Sequence, residues 1–343
     1  MTEENSTTSH LSVPITTREV DKMQTTDGRS MTSSSGNEFE FYFQWAVVVI
    51  GVVGTAANAL VLYALVASKQ FKKHLLIVNQ NALDLFSSCF LVITYSLKLC
   101  NFYLTGAYGY WLCMMILSEM LIYFGINGSI INLAIITIDR YLTVVHRRPI
   151  WVKKWLRSWV VYSAAAFAWL VGIVYNTAIT FATSGVVDGV CYAAVFYNSH
   201  ADLLASVISY MVFFYVIIIV LFIFCYGRIL IIVRRQAHVM AAHSAAGSST
   251  AHTQSNQLQT NVIKTMILVS AFFAMAWMPL YGYHIHLLLN PYETFVDGRY
   301  YVSMFIAFFY ICANPFIYAT KFNPVKKVLR DMIPCKVMIQ PIA

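Results

Sequence analysis

Charge is scarce in this chain. Of its 343 residues only 11% are Asp, Glu, Lys or Arg, while 59% are hydrophobic; a soluble domain carries roughly 25% charged and 45–50% apolar residues. So few charges cannot wet the surface of a soluble globule, and so apolar a composition is the opposite of a disordered chain. Eight prolines and fifteen glycines exclude collagen-like and proline-rich chains. Seven cysteines spread over this length exclude a small disulfide-stapled scaffold. Catalytic signatures are missing too: the sequence has no HExxH, no CxxC, no Walker loop and no Gly-rich phosphate cradle, and no carboxylates spaced for paired acid–base work. His284 and His286 stand two apart, which on a helix points them to different faces and disfavours a shared metal. The chain is expected not to be an enzyme.

What the sequence has is long apolar runs. A bilayer-crossing helix needs roughly 20 mostly apolar residues, and seven stretches qualify, near 42–67, 75–100, 111–138, 158–182, 203–233, 262–289 and 300–320. The expected fold class is an all-α membrane protein, a seven-transmembrane helix bundle with a short amphipathic eighth helix. Its expected organisation is a disordered extracellular N-terminus over 1–41, a membrane domain over 42–321, and an amphipathic helix with a short cytoplasmic tail over 322–343. The linker near 236–260 is small and polar and is expected to be flexible.

The formal net charge is +8, which in a soluble protein would suggest nucleic acid. Here the placement matters more. Eighteen of the 23 Lys and Arg residues fall within 69–73, 140–157, 228–264 and 321–336, the odd-numbered connectors and the tail. Basic loops stay cytoplasmic, so the N-terminus is expected outside, the protein in the plasma membrane among lipid, and no nucleic acid is expected as partner. Asn5-Ser6-Thr7 is then a glycosylation acceptor in the right compartment. Asn127-Gly128-Ser129 matches the same pattern but falls mid-membrane.

Cys113, at the outer end of span three, and Cys191, in the second outer loop, are placed to pair in an oxidising compartment; Cys100 near the same face is the competing thiol. Cys89, Cys225 and Cys312 lie inside spans, where cysteine packs as a small apolar group. Cys335 follows a basic amphipathic segment, as a palmitoylation site or a plain free thiol. Ionisable groups inside spans are costly and mark function; they are Asp84, Lys98, Glu119 and the pair Asp139-Arg140.

These residues carry a resemblance. Gly54 and Asn58, Asp84, Asp139-Arg140-Tyr141, Trp169, Tyr226, the Phe273–Trp277–Pro279 run and Asn314-Pro315-Phe316-Ile317-Tyr318 occur in order, on successive spans. The chain resembles a rhodopsin-like (class A) G-protein-coupled receptor over about 42–335, with Asp139-Arg140-Tyr141 matching the DRY motif and Asn314 to Tyr318 the NPxxY motif. The resemblance implies a ligand-activated receptor acting on a heterotrimeric G protein, with an activation switch built from Asp139, Arg140, Tyr141, Tyr226, Phe273, Trp277, Pro279, Asn314, Pro315 and Tyr318. It also implies a sodium pocket from Asp84, Ser129 and Asn314, an allosteric ion with no other cofactor. Independently, Pro279 and Pro315 remove backbone donors and kink their helices, and a released Arg140 presents a fork of donors to a partner. Read alone, Trp277 is a core aromatic and Arg140 a snorkelling charge.

Several positions depart from the family pattern. Cys113 and Arg140 stand a couple of residues too far apart, Ile218 replaces the proline of helix five, and Gln259 stands where many members carry an acidic partner for the DRY arginine; the last predicts measurable basal activity. Phe308 replaces the retinal-binding lysine and Ile122 the aspartate of amine receptors, which disfavours an amine ligand unless the two-residue shift of helix three brings Glu119 into that role. The ligand cavity is expected to be lined by Tyr95, Glu119, Tyr123, Tyr210, Tyr281, His284, Tyr300 and Met304, whose tyrosines offer apolar area with a polar tip. That favours a neuropeptide-like extracellular ligand, with a small non-amine molecule as the alternative. A heptahelical transporter or a silent scaffold is the reading from a different class.

Overall fold

The computed structural model describes residues 32–68, 74–100, 102–145, 156–193, 196–197, 199–244, 250–290 and 297–332. Asn5 and Cys335, with their expected modifications, lie outside these. Among the described residues eight helices follow one another: α1 (Thr32–Ala67), α2 (Leu75–Leu99), α3 (Gly106–Val145), α4 (Leu156–Thr183), α5 (200–244), α6 (Thr250–Leu289), α7 (Gly298–Lys321) and α8 (Asn323–Met332). Among the described residues, seven helices are long and apolar enough to cross a membrane, α1 to α7, each matching an expected stretch.

The helices overrun the expected limits in two places. The first begins at Thr32, ten residues before the expected span. The linker expected to be flexible is helical up to Ser244 and again from Thr250, because its Ala, Gln and Met residues are good helix formers that continue helices already nucleated. Two starts are capped as their sequences dictate: the Ser199 side chain accepts from the Asp202 amide at 3.2 Å at the head of α5, and Asp297 accepts from the Tyr300 amide at 3.0 Å at the head of α7.

Burial is inverted relative to a soluble protein. Large apolar side chains such as Trp159, Val220, Ile223 and Met278 cover the outside, while Asn58, Gln80, Asn81, Asp84, Asn127, Ser129, Asn132 and Asn314 are fully buried. Lipid rather than water satisfies the first set, and the second must find partners inside. Small residues let the helices approach. A side chain at Gly54 would strike Cys312 and Ser88, and one at Gly172 would strike the Phe124 backbone. Asn58, one turn from Gly54, donates to the Ile311 carbonyl of α7 at 3.2 Å, tying α1 to α7 where the glycine brings them close.

Two features close the ends. Strands β1 (Gly185–Val187) and β2 (Val190–Tyr192) pair antiparallel around Asp188-Gly189. Both turn residues have positive φ, 48° and 76°, the geometry that Asp-Gly suits in a two-residue hairpin. Cys191 on β2 is bridged to Cys113 of α3, with 5.4 Å between Cα atoms, while Cys100 is a free, exposed thiol. At the other end α8 turns off α7 with Phe322 and Val325 buried and Lys326, Lys327 and Arg330 outside, the amphipathic helix expected there.

Candidate functional site

Three polar or aromatic groupings run along the bundle interior. The first lies at the disulfide end. The α3 helix does not run evenly: Cys113–Leu117 winds as a wider π turn, and Glu119, with φ of 65°, breaks the helix before Met120 resumes it. The surplus residues between Cys113 and Arg140 are absorbed here, leaving the rest of α3 in register. A left-handed conformation costs a non-glycine residue about 1–2 kcal/mol. Its neighbours hold Glu119 there: Lys98 makes an ion pair with Glu119 Oε1, and the Tyr95 hydroxyl donates to the same oxygen at 2.8 Å. The Lys98 ammonium also stands 4.8 Å from the centre of the Tyr95 ring. The Tyr123 amide donates to the Glu119 carbonyl at 3.0 Å, and the Tyr123 hydroxyl meets Met304 Sδ at 3.3 Å.

The expected cavity residues therefore fall into two clusters. Tyr95, Glu119, Tyr123 and Met304 form one, while the Tyr300 ring lies 6.0 Å from Tyr283, itself 6.4 Å from His284 of the other. Tyr210, Tyr281 and His284 belong to a second between α5 and α6, with ring centres of Tyr210 and Tyr281 6.5 Å apart and those of Tyr281 and His284 6.4 Å apart. Tyr210 also donates to Asn127 Oδ1 at 2.8 Å, and Asn127 donates to Asn176 of α4 at 3.2 Å. Asn127 of the mid-membrane glycosylation pattern is thus fully buried and clamps α3, α4 and α5. Ile122 and Phe308, standing where the family places charged ligand groups, are fully buried core residues.

The second grouping is a one-way chain of hydrogen bonds. Trp169 Nε1 of α4 donates to Asn79 Oδ1 at 2.8 Å, and Asn79 donates to Asn132 Oδ1 at 2.9 Å. Asn132 donates to Gln80 Oε1 at 2.8 Å, Gln80 to Ser129 Oγ, and Ser129 to Asp84 Oδ1 at 2.6 Å. Asn314 of α7 donates to the other carboxylate oxygen at 3.0 Å. Every donor in the series points toward Asp84, so each bond polarises the next. The three expected sodium ligands, Asp84, Ser129 and Asn314, are thus in direct contact. Asn314 Oδ1 is buried with no hydrogen-bond partner, an oxygen such as a hard cation takes.

The third grouping leads to the Arg140 end. Trp277, fully buried, lies between Tyr281, stacked at 5.9 Å, and Phe273 at 6.3 Å; Phe273 packs edge-on to Tyr310 of α7 at 5.5 Å. Pro279 cannot donate to the carbonyl of Met275, and one residue away the Tyr215 hydroxyl of α5 donates to the Ala274 carbonyl at 2.9 Å. Tyr215 belongs to a π turn, Val212–Val216, directly before Ile218, so α5 deforms at this level without the proline. Lower down, the Tyr226 hydroxyl meets Thr137 of α3 at 3.0 Å and Ser270 of α6 at 3.4 Å. Asp139 and Arg140 pair at 3.8 Å, and the Tyr141 ring sits 5.6 Å from Phe224. Pro315 lies inside α7, and the buried Tyr318 ring is 6.5 Å from Phe322, itself edge-on to His74 at 5.0 Å.

Lys98, Gln80, Asn79 and Asn132 are site residues that the sequence does not single out as such. Lys98 was noticed as an ionisable residue but not joined to the cavity set. Gln80 carries no charge, and a search for ionisable groups passes over it; its place one helical turn before Asp84 was the available signal.

The described residues thus form a seven-helix membrane bundle with the Asp139–Arg140 pair at one end and aromatic clusters at the other. The family model described as "7 transmembrane receptor (rhodopsin family)" matches residues 57–318. The chain belongs to that family, a multi-pass membrane protein and G-protein-coupled receptor rather than an enzyme. Among solved structures it is similar to squid rhodopsin, with 18% identity, 85% of each chain covered and a TM-score of 0.68, a likeness of fold. Among curated proteins none matches.

Proposed function

We propose that this is a plasma-membrane receptor with its N-terminus outside, activated by a neuropeptide-like ligand and signalling to heterotrimeric G proteins through Arg140. The supporting observation is the continuity of the interior. The tyrosine-rich clusters at the disulfide end lead through Tyr281, Trp277 and Phe273 into Tyr310 of α7, and α6, with Pro279 inside it, continues toward the Arg140 end. A ligand acts by its differential affinity for two arrangements of this interior, and α6 is the element that moves. Asp84, Ser129 and Asn314 would hold a sodium ion, which supplies positive charge to the buried carboxylate and favours the inactive arrangement.

Ligand-free G-protein activation, measured with a subunit-dissociation sensor at matched surface expression, tests the transducer reading. The expected result is basal activation in the wild type that Arg140→Ala abolishes. Equal signals in wild type, variant and empty cells, together with no response to any peptide extract, would overturn it. The peptide reading is tested by protease treatment of an activating extract: digestion destroys the activity, whereas a surviving activity replaces the peptide with a small molecule.

A further inference from the structure

We infer that Glu119 and the tyrosines around it form the subsite that receives a cationic group of the ligand, a primary ammonium or guanidinium, and that Lys98 occupies this subsite in the unliganded receptor as a tethered stand-in. The inference rests on the reading of the disulfide end as the ligand side and names the chemistry recognised there.

The geometry is that of a cation site. One carboxylate oxygen of Glu119 receives both the Lys98 ammonium and the Tyr95 hydroxyl. The Tyr95 ring lies under the ammonium, as aromatic faces do where cations are bound. Tyr123, one turn further along α3, donates its amide to the Glu119 carbonyl at 3.0 Å. Lys98 comes from the last turn of α2, and its four-carbon stem lets the head group leave without moving the helix. The pair is only partly covered, with the Lys98 side chain 26% and that of Glu119 14% exposed, so water and solutes reach the ammonium. Glu119 is also the residue at which α3 breaks, with left-handed backbone. Exchanging its cation therefore acts on the junction between the disulfide-bearing segment of α3 and the long segment that ends at Arg140. A ligand ammonium gains the contacts that Lys98 gives up, and Lys98 gains hydration.

Purified receptor in lipid nanodiscs tests this by filling the place of the missing side chain. Lys98→Ala removes the stand-in, and n-propylammonium chloride is the probe. Thermal midpoints are compared with sodium chloride and sodium propionate at the same ionic strength. The expected result is a saturable rise for Lys98→Ala, by roughly 3 °C at about ten times the dissociation constant. It should be much smaller in the wild type, absent with propionate, and absent in Lys98→Ala/Glu119→Gln. Lys98→Met, which keeps most of the stem against Tyr95, is run beside it with methylammonium, so that poor folding of the alanine variant leaves the test standing. A fall in midpoint that no cation reverses would show a sealed interhelical staple and overturn the inference. A rise that persists without Glu119 would overturn it as well. Neither readout uses a G protein, so a failure here is distinct from a failure of the transducer reading.

Discussion

Ser129→Ala and Gln80→Leu remove the same number of hydrogen bonds from the same chain, yet the structure predicts very different costs. Gln80 accepts from Asn132 and donates to Ser129. In Gln80→Leu, Asn132 still donates to the Leu76 carbonyl at 2.9 Å, and Ser129 still donates to Asp84. The second N–H of Asn132 loses its acceptor, a neutral donor at the low end of the stranded-group cost, about 1 kcal/mol, and the added apolar contact offsets part of the two lost interhelical bonds. In Ser129→Ala the Gln80 amide and one Asp84 oxygen both lose a partner in a fully buried place. A stranded polar group costs about 1–3 kcal/mol, and more when it is charged. We expect about 1 kcal/mol for Gln80→Leu and about 3 kcal/mol for Ser129→Ala. The double variant should cost less than the two summed, because the leucine removes the amide that alanine would strand. At roughly 2–4 °C per kcal/mol, thermal midpoints of purified receptor separate these outcomes. Equal costs for the single variants, or strict additivity in the double, would refute the reasoning.

Three further expectations follow from the same coordinates. Cys113→Ser or Cys191→Ser releases the hairpin from α3 and should cost about 2–5 kcal/mol, read as reduced surface expression and a lower midpoint; an unchanged midpoint would deny the bridge a structural part. Pro279→Ala restores a donor for the Met275 carbonyl and straightens α6, so the midpoint should rise while ligand-induced G-protein activation falls at least several-fold; a more active variant would show that the kink is not what moves. Asp297 lies just outside the membrane span. Partial burial raises its carboxyl pKa, but the Tyr300 amide and the Arg299 and Tyr283 side chains outweigh that and hold it below the ordinary carboxylate range. A depressed folded-state value contributes stability above the unfolded pKa, lost as pH falls through the folded value. Midpoints of wild type and Asp297→Asn should therefore differ at pH 6, begin to approach each other only below the ordinary carboxylate value of about 3.9, and converge below the depressed folded value; a difference that grows in acid would reverse the sign.

The spans were legible because lipid imposes a constraint on every residue of a run, and seven long apolar stretches survive any local irregularity. The ordered motifs were legible for the same reason, each setting distinctive residues into an apolar run. The irregularities were not. Nothing in Cys113–Leu117 or Val212–Val216 marks a π turn, since these windings depend on what neighbouring helices offer. The surplus length of α3 showed that something must give, but only packing against Lys98 and Tyr95 decides that it gives at Glu119. The hairpin was legible and went unread: Asp188-Gly189 flanked by Val187 and Val190 is a strong short-range turn signal. The chain from Trp169 to Asp84 was out of reach, because polar side chains on different helices carry no periodic mark of their pairing.

That chain has a consequence for how the receptor rearranges. Each of Asn79, Asn132 and Gln80 spends its amide N–H on the next member and its oxygen on the previous one. None can turn over alone without facing two donors or two acceptors toward each other. Reversal is therefore collective: the dipoles from α4 to Asp84 keep one sense or exchange it together. A protonation or an ion arriving at Asp84 is then felt at Trp169, on the lipid-facing helix, as an all-or-none change in whether its indole N–H has an acceptor, and indole fluorescence at that single residue becomes an optical reporter of the state of a carboxylate it never touches.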